Sequence, residues 1–358
     1  MGFKETLLKH KDPEVLRASL SRLAVSVQTT FNPNHRHDEA WEQEIDRQRQ
    51  EICDSHRFKS FAPIREGNYV KFYACGHDYF WAVSEMIEEA KEVIYILDWW
   101  LSPELYLRRP PHMFEEYRLD RLLKNKAEQG VKIFVVVYKE VNLSMTMGSA
   151  HTKHWLEGLH PNIQVARSPD HLGGEVVLFW SHHEKLVCVD NQKACIGGLD
   201  LCYGRWDTQS HPLSDAHPSS WERTLFPGQD YNNARIQDFQ DVEDFMSNQQ
   251  SRLEVGRMPW HDVHCSFLGP AALDVAMHFI ERWNFVKEMK YKHDRHFSWI
   301  AFPNGAARPE DVDPLYPDVS KHPHLAKFEG EQSTSLFQRA ALTFFFRAWG
   351  EVPTPLPL

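Results

Sequence analysis

Helical periodicity alternates with short apolar runs between residues 79 and 137. Apolar residues recur at helical spacing in YFWAVSEMIEEAKE, and the strand-sized run VIYIL follows directly. The pattern then repeats, because RLDRLLKNKAEQG has the leucine spacing of a helix, ends at Gly130 and leads into VKIFVVVY. Alternation of this kind predicts an α/β sheet with helices packed on its faces.

Later segments add further strands and another helix to this pattern. The strand candidates are IQVARS, EVVLFW and HEKLVCV, and residues 190–192 are predicted to join the last of them to KACIGG by a tight hairpin. A helix is predicted in AALDVAMHFIERWNFV, with inward-facing Ala272, Val275, Ala276, Phe279 and Trp283. The polar stretch from Asp207 to about Arg257 is predicted to be a long surface excursion.

Composition divides the chain into three parts. Residues 1–68 are polar and largely helical in pattern, residues 69–290 carry the α/β alternation, and residues 291–358 lose periodicity. A chain of 358 residues is long enough to bury a substantial core. The middle part is therefore the predicted functional domain.

Charge and cysteine content exclude some classes of protein. The formal net charge of −10 argues against nonspecific binding to a nucleic-acid backbone. No apolar run reaches the roughly 18 residues that a membrane span needs. The cysteines are spread out without a CxxC pair, which favours reduced thiols in the cytoplasm over disulfides or a zinc site.

The candidate chemistry lies at the start of the strand HEKLVCV. Side chains alternate along a strand, so His183 and Lys185 are predicted to project from the same face. An imidazole beside an ammonium suits a phosphate ester, because the lysine neutralises the non-bridging oxygens and the histidine acts as nucleophile or proton carrier. The alternative is a strand whose two polar side chains merely point into solvent.

Three residues farther along support this pair in the predicted structure. Asp190 falls on the opposite face at the turn, where a carboxylate bonds turn amides as readily as it orients an imidazole. It is interpreted as a supporting residue. Gly197 and Gly198 are predicted to let another backbone segment approach closely.

The full spacing His-x-Lys-x4-Asp-x6-Gly-Gly resembles the signature of the phospholipase D superfamily. The run HHEKLVCVD, continued by IGGLDLCYGRWD, is similar to the first motif of the eukaryotic phosphatidylcholine-hydrolysing branch. Two other stretches, ILDWWLSPELYLRRP and RMPWHDVHCSFLGPAALDVAMHFIERWNF, also resemble that branch. Together the resemblance runs from about residue 60 to residue 290.

The resemblance implies a phospholipase D-like α/β sandwich, a mixed sheet flanked by helices, that forms one half of a two-lobed enzyme. It assigns catalytic roles to His183, Lys185 and Asp190, and substrate-binding roles to Lys185, Gly197, Gly198 and Asp200. His183 would attack the lipid phosphorus and form a phosphohistidine. A histidine from a second motif would protonate the departing choline and then activate water, or a primary alcohol would replace the water. This chemistry implies no metal and no other cofactor.

A second motif of this kind does not occur in the sequence. The other His-x-Lys run is HTK at residues 151–153, and Gly158 stands where an aspartate is needed. The chain therefore resembles the N-terminal half of a family enzyme. The expected partners are phosphatidylcholine, the membrane surface, and either a second copy of the chain or another phospholipase D half. The expected location is the cytoplasm, in peripheral association with membranes.

Two other functions remain alternatives at this point. One is a catalytically inactive relative that binds lipid or a full-length phospholipase D, because the second motif is missing. The other is a nuclease-type phosphodiesterase, which the net negative charge and the branch-specific GGLDLCYGRWD disfavour. No nucleic-acid partner is predicted.

Several conspicuous polar and aromatic residues have structural interpretations beside functional ones. Trp99, Trp100 and Leu101 are interpreted as core or pocket wall, with a membrane-touching aromatic patch as the alternative. His182 is expected to make a structural hydrogen bond. The loop residues Asp200, Arg205 and Asp207 are interpreted as either salt-bridged or in contact with the headgroup. His261 and Asp262 are treated as structural residues.

Overall fold

A computed structural model describes residues 40–60, 62–140, 146–168, 181–215, 222–237 and 239–300. The strand candidate EVVLFW and the chain beyond residue 300 lie outside the described residues. Contacts divide the chain into two units, one containing the residues up to 65 and the other containing residues 66–168 and the chain from 182 onward. None of the helices in the described part is long and apolar enough to cross a membrane.

The described part of the first unit contains helix α1, Ala40–Ser55, and a short 3₁₀ turn, Arg57–Lys59. Charged pairs one turn apart stabilise the exposed surface of the helix, since Arg47 donates hydrogen bonds to Glu44 (2.8 Å) and to Glu51. The helical prediction for the N-terminal segment is confirmed for α1. Residues 1–39 lie outside the described residues.

The second unit is built on a seven-stranded mixed sheet. Its strands are β1 (Tyr69–Tyr73), β2 (Val93–Asp98), β3 (Lys132–Val137), β4 (Ile163–Arg167), β5 (Leu186–Val189), β6 (Lys193–Gly197) and β7 (His264–Leu268). The spatial order is β1-β7-β6-β5-β2-β3-β4. β2, β3 and β4 pair in parallel and the other neighbours pair antiparallel, so β5 meets the parallel part of the sheet at β2.

Four helices cover the two faces of this sheet. They are α2 (Gly76–Glu89), α3 (Leu119–Glu128), α4 (Ser149–Leu159) and α5 (Ala271–Lys290). Buried residues of α2, α3 and α4 form one apolar core with Ile94 and Ile96 of β2. Buried residues of α5 form a second core with Tyr95 and Leu97, which point to the opposite face. The predicted α/β sandwich is therefore confirmed.

The helical spacing in the sequence identified most of the core correctly. In the α2 region the apolar residues at helical spacing, Phe80, Val83, Met86, Ile87 and Ala90, are all buried. In α5 the predicted inward residues Ala272, Ala276, Phe279 and Trp283 are all buried. Val275 is only partly buried, packed at the margin of the second core. Strand β2 is buried at every position, as its continuous apolar run implies.

The predicted hairpin is present between β5 and β6. Asp190 and Asn191 have φ angles of 52° and 57°, and the Gln192 N–H donates to the carbonyl oxygen of Val189 at 3.1 Å. Two successive residues with positive φ give the tight turn that suits the twist of paired strands. The strand itself is shorter than predicted, because β5 begins only at Leu186, although the Lys185 carbonyl oxygen before it still accepts the Gly197 N–H at 3.2 Å.

Among the described residues after Asp207, several side chains lie in the interior, so the prediction of a surface excursion is wrong for those residues. Phe226 and Tyr231 are buried, and Arg257 is 1% exposed. The Arg257 guanidinium pairs with the Asp207 carboxylate, and Asp230 pairs with Arg109 at 2.8 Å. Composition misled the prediction because the buried charges are paired with one another, which offsets their desolvation.

Candidate active site

His183 and Lys185 lie together where the chain enters β5, beside the end of β2. The His183 and Trp99 rings are 5.1 Å apart between centroids, and the Lys185 ammonium lies 5.4 Å from the centroid of the same indole ring. The intervening Glu184 lies on the other side, where its carboxylate is 3.8 Å from His182 Nδ1. His182 bonds the carbonyl oxygen of Asp98 at 3.1 Å, which confirms its predicted structural hydrogen bond. The chain therefore alternates as predicted, and Trp99 is the shared neighbour of the candidate pair.

The Lys185 ammonium is buried and clamped. Its side chain donates to Asp200 Oδ1 at 2.9 Å and to the carbonyl oxygen of His183 at 3.2 Å. Lys185 is 5% exposed, so the alternative of a solvated side chain is wrong for this residue. An ammonium has three N–H donors, and these two acceptors leave one donor for a ligand.

His183 differs from Lys185 in that its side chain is exposed. No described residue donates or accepts a hydrogen bond with its imidazole ring, whose neighbours are Trp99 and the two charged groups nearby. Partial burial, followed by the Lys185 ammonium, lowers the pKa of His183 below its ordinary value. The ring is therefore neutral at neutral pH and keeps a nitrogen lone pair for nucleophilic attack.

A pair of buried carboxyl groups lies behind Lys185. Asp200 accepts the Trp100 N–H at 3.3 Å in addition to the Lys185 ammonium, and Arg205 Nε lies 3.7 Å from its other oxygen. The Asp98 carboxyl accepts the Leu201 N–H at 2.8 Å. Burial, and then the neighbouring Asp200 carboxylate, raises the pKa of Asp98 well above its usual range. Asp200 is thus the described carboxylate that pairs with both Lys185 and Arg205.

The two glycines pass close to the segment that leads into β7. A Cβ atom at Gly197 would lie 2.5 Å from the Cα of His264, and one at Gly198 would lie 2.2 Å from a carboxylate oxygen of Asp262. The neighbour at Gly197 is backbone, so the predicted close backbone approach is confirmed there, whereas the neighbour at Gly198 is the end of a side chain. Close packing against neighbouring atoms therefore explains why glycine occupies these two positions. Their part in substrate binding stays a prediction.

Asp190 lies at the other end of β5, in the hairpin. Its carboxylate accepts the backbone N–H groups of Lys91 (2.8 Å), Glu92 (2.9 Å) and Val93 (2.9 Å), where β2 begins. These bonds tie the hairpin to the neighbouring strand. They match the supporting role predicted for Asp190, and no contact among the described residues brings its carboxylate to the His183 ring.

His264 is a residue of this region that sequence reasoning missed. It is 2% exposed, its Nδ1 accepts the Leu199 N–H at 3.3 Å, and its ring stacks on Tyr79 at 3.8 Å between centroids. Burial, and then the nearby Lys185 ammonium, lowers the pKa of His264 to about 3, so the ring stays neutral. A polar residue inside the apolar strand HCSFL was the available signal.

The loop residues singled out in the sequence are mostly paired with protein groups. Asp207 accepts from Arg257 and lies 2.9 Å from His211 Nδ1, so its salt-bridge interpretation is confirmed. The His261 ring lies 5.8 Å from that of His211. Asp262 accepts the N–H of the next residue at 2.7 Å.

A cavity of about 330 Å³ adjoins the candidate pair through Trp99. Its aromatic and methionine walls are Trp99, Trp100, Phe239, Trp260, Met147 and Met258. The pocket-wall interpretation of Trp99 and Trp100 is therefore confirmed, whereas Leu101 is buried in the core. The site thus combines an exposed neutral imidazole, a clamped ammonium and an apolar pocket.

Comparison with known proteins gives a family and several relatives. The family model described as "Phospholipase D" matches residues 86–304. The chain is 50% identical over 234 residues to "Phospholipase D1" of Saccharomyces cerevisiae, covering 65% of this chain and 14% of the relative. It is 46% identical over 246 residues to "Phospholipase D zeta 1" of Arabidopsis thaliana, covering 68% of this chain and 22% of the relative. The chain thus spans only a small part of the length of these relatives.

One solved structure with a similar backbone is the phospholipase D family member Nuc from Salmonella typhimurium. It is 12% identical, with a TM-score of 0.34, and the match covers 61% of this chain and 95% of that one.

Proposed function

The chain belongs to the phospholipase D family, and on that premise we propose that it contributes one half of an active centre that hydrolyses phosphatidylcholine to phosphatidic acid and choline. The observation that carries the proposal is the pairing of an exposed neutral imidazole with a buried ammonium. The two side chains lie against the same indole ring, 5.1 Å and 5.4 Å from its centroid. A phosphodiester placed there would meet a nucleophile and a positive charge together.

The proposed first step is attack by a nitrogen of His183 on the lipid phosphorus. An N–P bond forms, the P–O bond to choline breaks, and the choline oxygen leaves with the electron pair and takes up a proton. The remaining N–H of Lys185 would donate to a non-bridging phosphoryl oxygen and stabilise the charge that develops there. Water, or a primary alcohol, then displaces the histidine and releases phosphatidic acid or its ester.

The proton for choline is proposed to come from a second half. The sequence contains a single His-x-Lys-x4-Asp run, and positioned acid–base help is typically worth about 10²–10⁴-fold. A second copy of the chain or another phospholipase D half would supply it, and the exposure of His183 leaves room for such a partner. Residues 69–290 would form the half-domain, acting in the cytoplasm at a membrane surface.

A non-catalytic role in binding lipid or a complete phospholipase D is the second candidate. The single motif in the sequence favours it, because a phosphohistidine would form slowly without an acid for the leaving group. The two candidates share the same fold and the same anion-binding lysine. They differ in whether covalent chemistry occurs at His183.

The test is transphosphatidylation by the purified chain. Phosphatidylcholine vesicles with butanol should give phosphatidylbutanol, and the rate should rise with chain concentration if two copies form the site. His183→Ala should abolish the product, whereas the matched control His154→Ala, an exposed histidine on α4, should not. Light scattering in parallel gives the oligomeric state. A monomer that binds vesicles without turnover would support the second candidate instead.

A further inference from the structure

We propose that the aromatic cavity beside Trp99 holds the acylglycerol side of the phospholipid, so that the choline lies on the open side of His183. This inference rests on the proposed function, because it assigns the two arms of the same phosphodiester. The established family membership does not say which arm enters this cavity. The position of the cavity, its walls and its charge support this assignment.

Position makes the cavity an extension of the phosphoryl site. Trp99 forms part of its wall and also lies next to His183 and Lys185. A phosphodiester bound by the Lys185 ammonium has two ester arms that leave in different directions. One arm would enter the cavity past Trp99, and the other would remain on the exposed side of His183, where a partner half would have to supply the acid.

The walls are suited to hydrocarbon and ester groups. Four aromatic rings and two methionines form most of the lining, and the polar groups come from the Asn232 amide, the Thr146 hydroxyl and the Arg205 guanidinium. Sites of this kind, largely apolar with a few polar groups, are typical for small organic ligands. A volume of about 330 Å³ is at the small end of that class, so it would take the glycerol and the first methylenes of the chains.

Charge argues against choline in the same cavity. The Arg205 guanidinium lies 3.7 Å from the ring centroid of Trp260 and 5.6 Å from that of Trp100. A quaternary ammonium binds by resting on such aromatic faces, and here a protein cation already occupies them. A second cation beside Arg205 would be repelled. The aromatic faces that would bind choline are already occupied by Arg205, so choline is not expected in this cavity.

The experiment compares two soluble probes by isothermal titration calorimetry. Dihexanoyl-phosphatidic acid carries the acylglycerol arm without choline, and phosphocholine carries the other arm without acyl groups. Ala234 lies exposed on the cavity lining, so Ala234→Trp fills the cavity without disturbing the core. Met113→Trp is the matched control, because Met113 is 61% exposed and is not part of the lining.

The expected result is that Ala234→Trp weakens binding of dihexanoyl-phosphatidic acid by at least about tenfold and leaves phosphocholine binding unchanged. Met113→Trp should change neither. Loss of phosphocholine binding in Ala234→Trp, with the phosphatidic acid probe unaffected, would reverse the assignment while leaving the proposed function intact. Unchanged binding of both probes would also overturn the assignment. Failure of the wild-type chain to bind either probe would instead overturn the proposed function, and the assignment with it.

Discussion

The two ends of β5 carry the same motif but use it differently. At the hairpin end, the Asp190 carboxylate is held by three backbone N–H groups of residues 91–93. At the other end, Lys185 is held by Asp200 and by a carbonyl group, whereas the His183 ring has no hydrogen bond from any described residue. At the hairpin end, backbone groups of the protein therefore supply the hydrogen-bond partners of the Asp190 carboxylate. At the other end, Lys185 keeps an N–H donor and the His183 ring keeps a nitrogen lone pair, and both are available to a ligand.

This contrast separates residues that build the strand from residues that react. A conserved-looking spacing does not distinguish the two, but hydrogen-bond satisfaction does, because a group with all its partners inside the protein has none left for a ligand. Substitutions at the hairpin end should therefore change stability alone. Substitutions at the Lys185 end should change stability and ligand binding together.

The largest effect on stability is expected from Lys185→Met. The substitution leaves Asp200 buried with Arg205 as its nearest cation at 3.7 Å, and breaking a buried pair typically costs about 3–5 kcal/mol. Urea unfolding should show the loss. A loss below about 1 kcal/mol, the range of surface pairs, would mean that the ammonium is not a buried clamp.

The next effect is expected at the hairpin end. Asp190→Ala removes an acceptor that three backbone N–H groups share, and the free energy of unfolding should fall by about 3 kcal/mol. Asp190→Asn should lose less, because one amide oxygen still accepts. Calorimetric binding of inorganic phosphate to the folded fraction should not change in either variant. Loss of phosphate binding in a folded Asp190→Asn would erase the distinction between the two ends.

A smaller effect is expected at the two glycines beyond the hairpin. Gly197→Ala would press a methyl group against backbone atoms of Val263 and His264, at 2.5 Å each, and overpacking of this kind costs about 1–3 kcal/mol. Gly198→Ala meets the end of the Asp262 side chain, which can rotate away, so its cost should be lower. Thermal unfolding of the two variants measures the difference. Equal destabilisation would show that the backbone of Val263 and His264 moves as easily as the Asp262 side chain.

A last effect, which is small for any single step in pH, is a slope of stability with pH. The pKa of His264 is lowered from 6.5 to about 3, so below pH 6.5 the unfolded chain binds a proton that the folded chain does not. The free energy of unfolding should therefore fall as pH decreases between these values, by up to about 1.4 kcal/mol per pH unit from this group. His264→Gln should remove that part of the slope while its side-chain oxygen can still accept the Leu199 N–H. An unchanged slope would show that His264 titrates normally.

The sequence predicted the layers of this fold better than its connections. Apolar spacing identified the inward residues of α2 and α5, because burial of one helix face depends on local pattern alone. The stretch after Asp207 was predicted wrongly, because its polar residues are satisfied by partners far along the chain, such as Arg257 for Asp207. Long-range pairing of buried charges leaves no periodic trace in the sequence.

The candidate site shows the same division. Alternation along the strand correctly placed His183 and Lys185 on one side, beside Trp99. The Asp200 clamp, the cavity and the neutral His264 depend on β2, β5, β7 and the loop that carries Phe239, which only the folded chain brings together. The sequence spacing predicted which side chains of one strand lie together. It did not predict the residues from other elements that surround them.

Trapping a covalent intermediate tests most directly whether His183 is a nucleophile activated beside Lys185. Bis(p-nitrophenyl) phosphate releases p-nitrophenolate without needing a proton, so the reaction does not depend on the acid of a second half. We expect one equivalent of p-nitrophenolate per chain and a p-nitrophenyl phosphoryl group on His183 by peptide mass spectrometry, absent in His183→Asn and retained in His154→Asn. Phosphorylation of another residue, or equal release by His183→Asn, would contradict it.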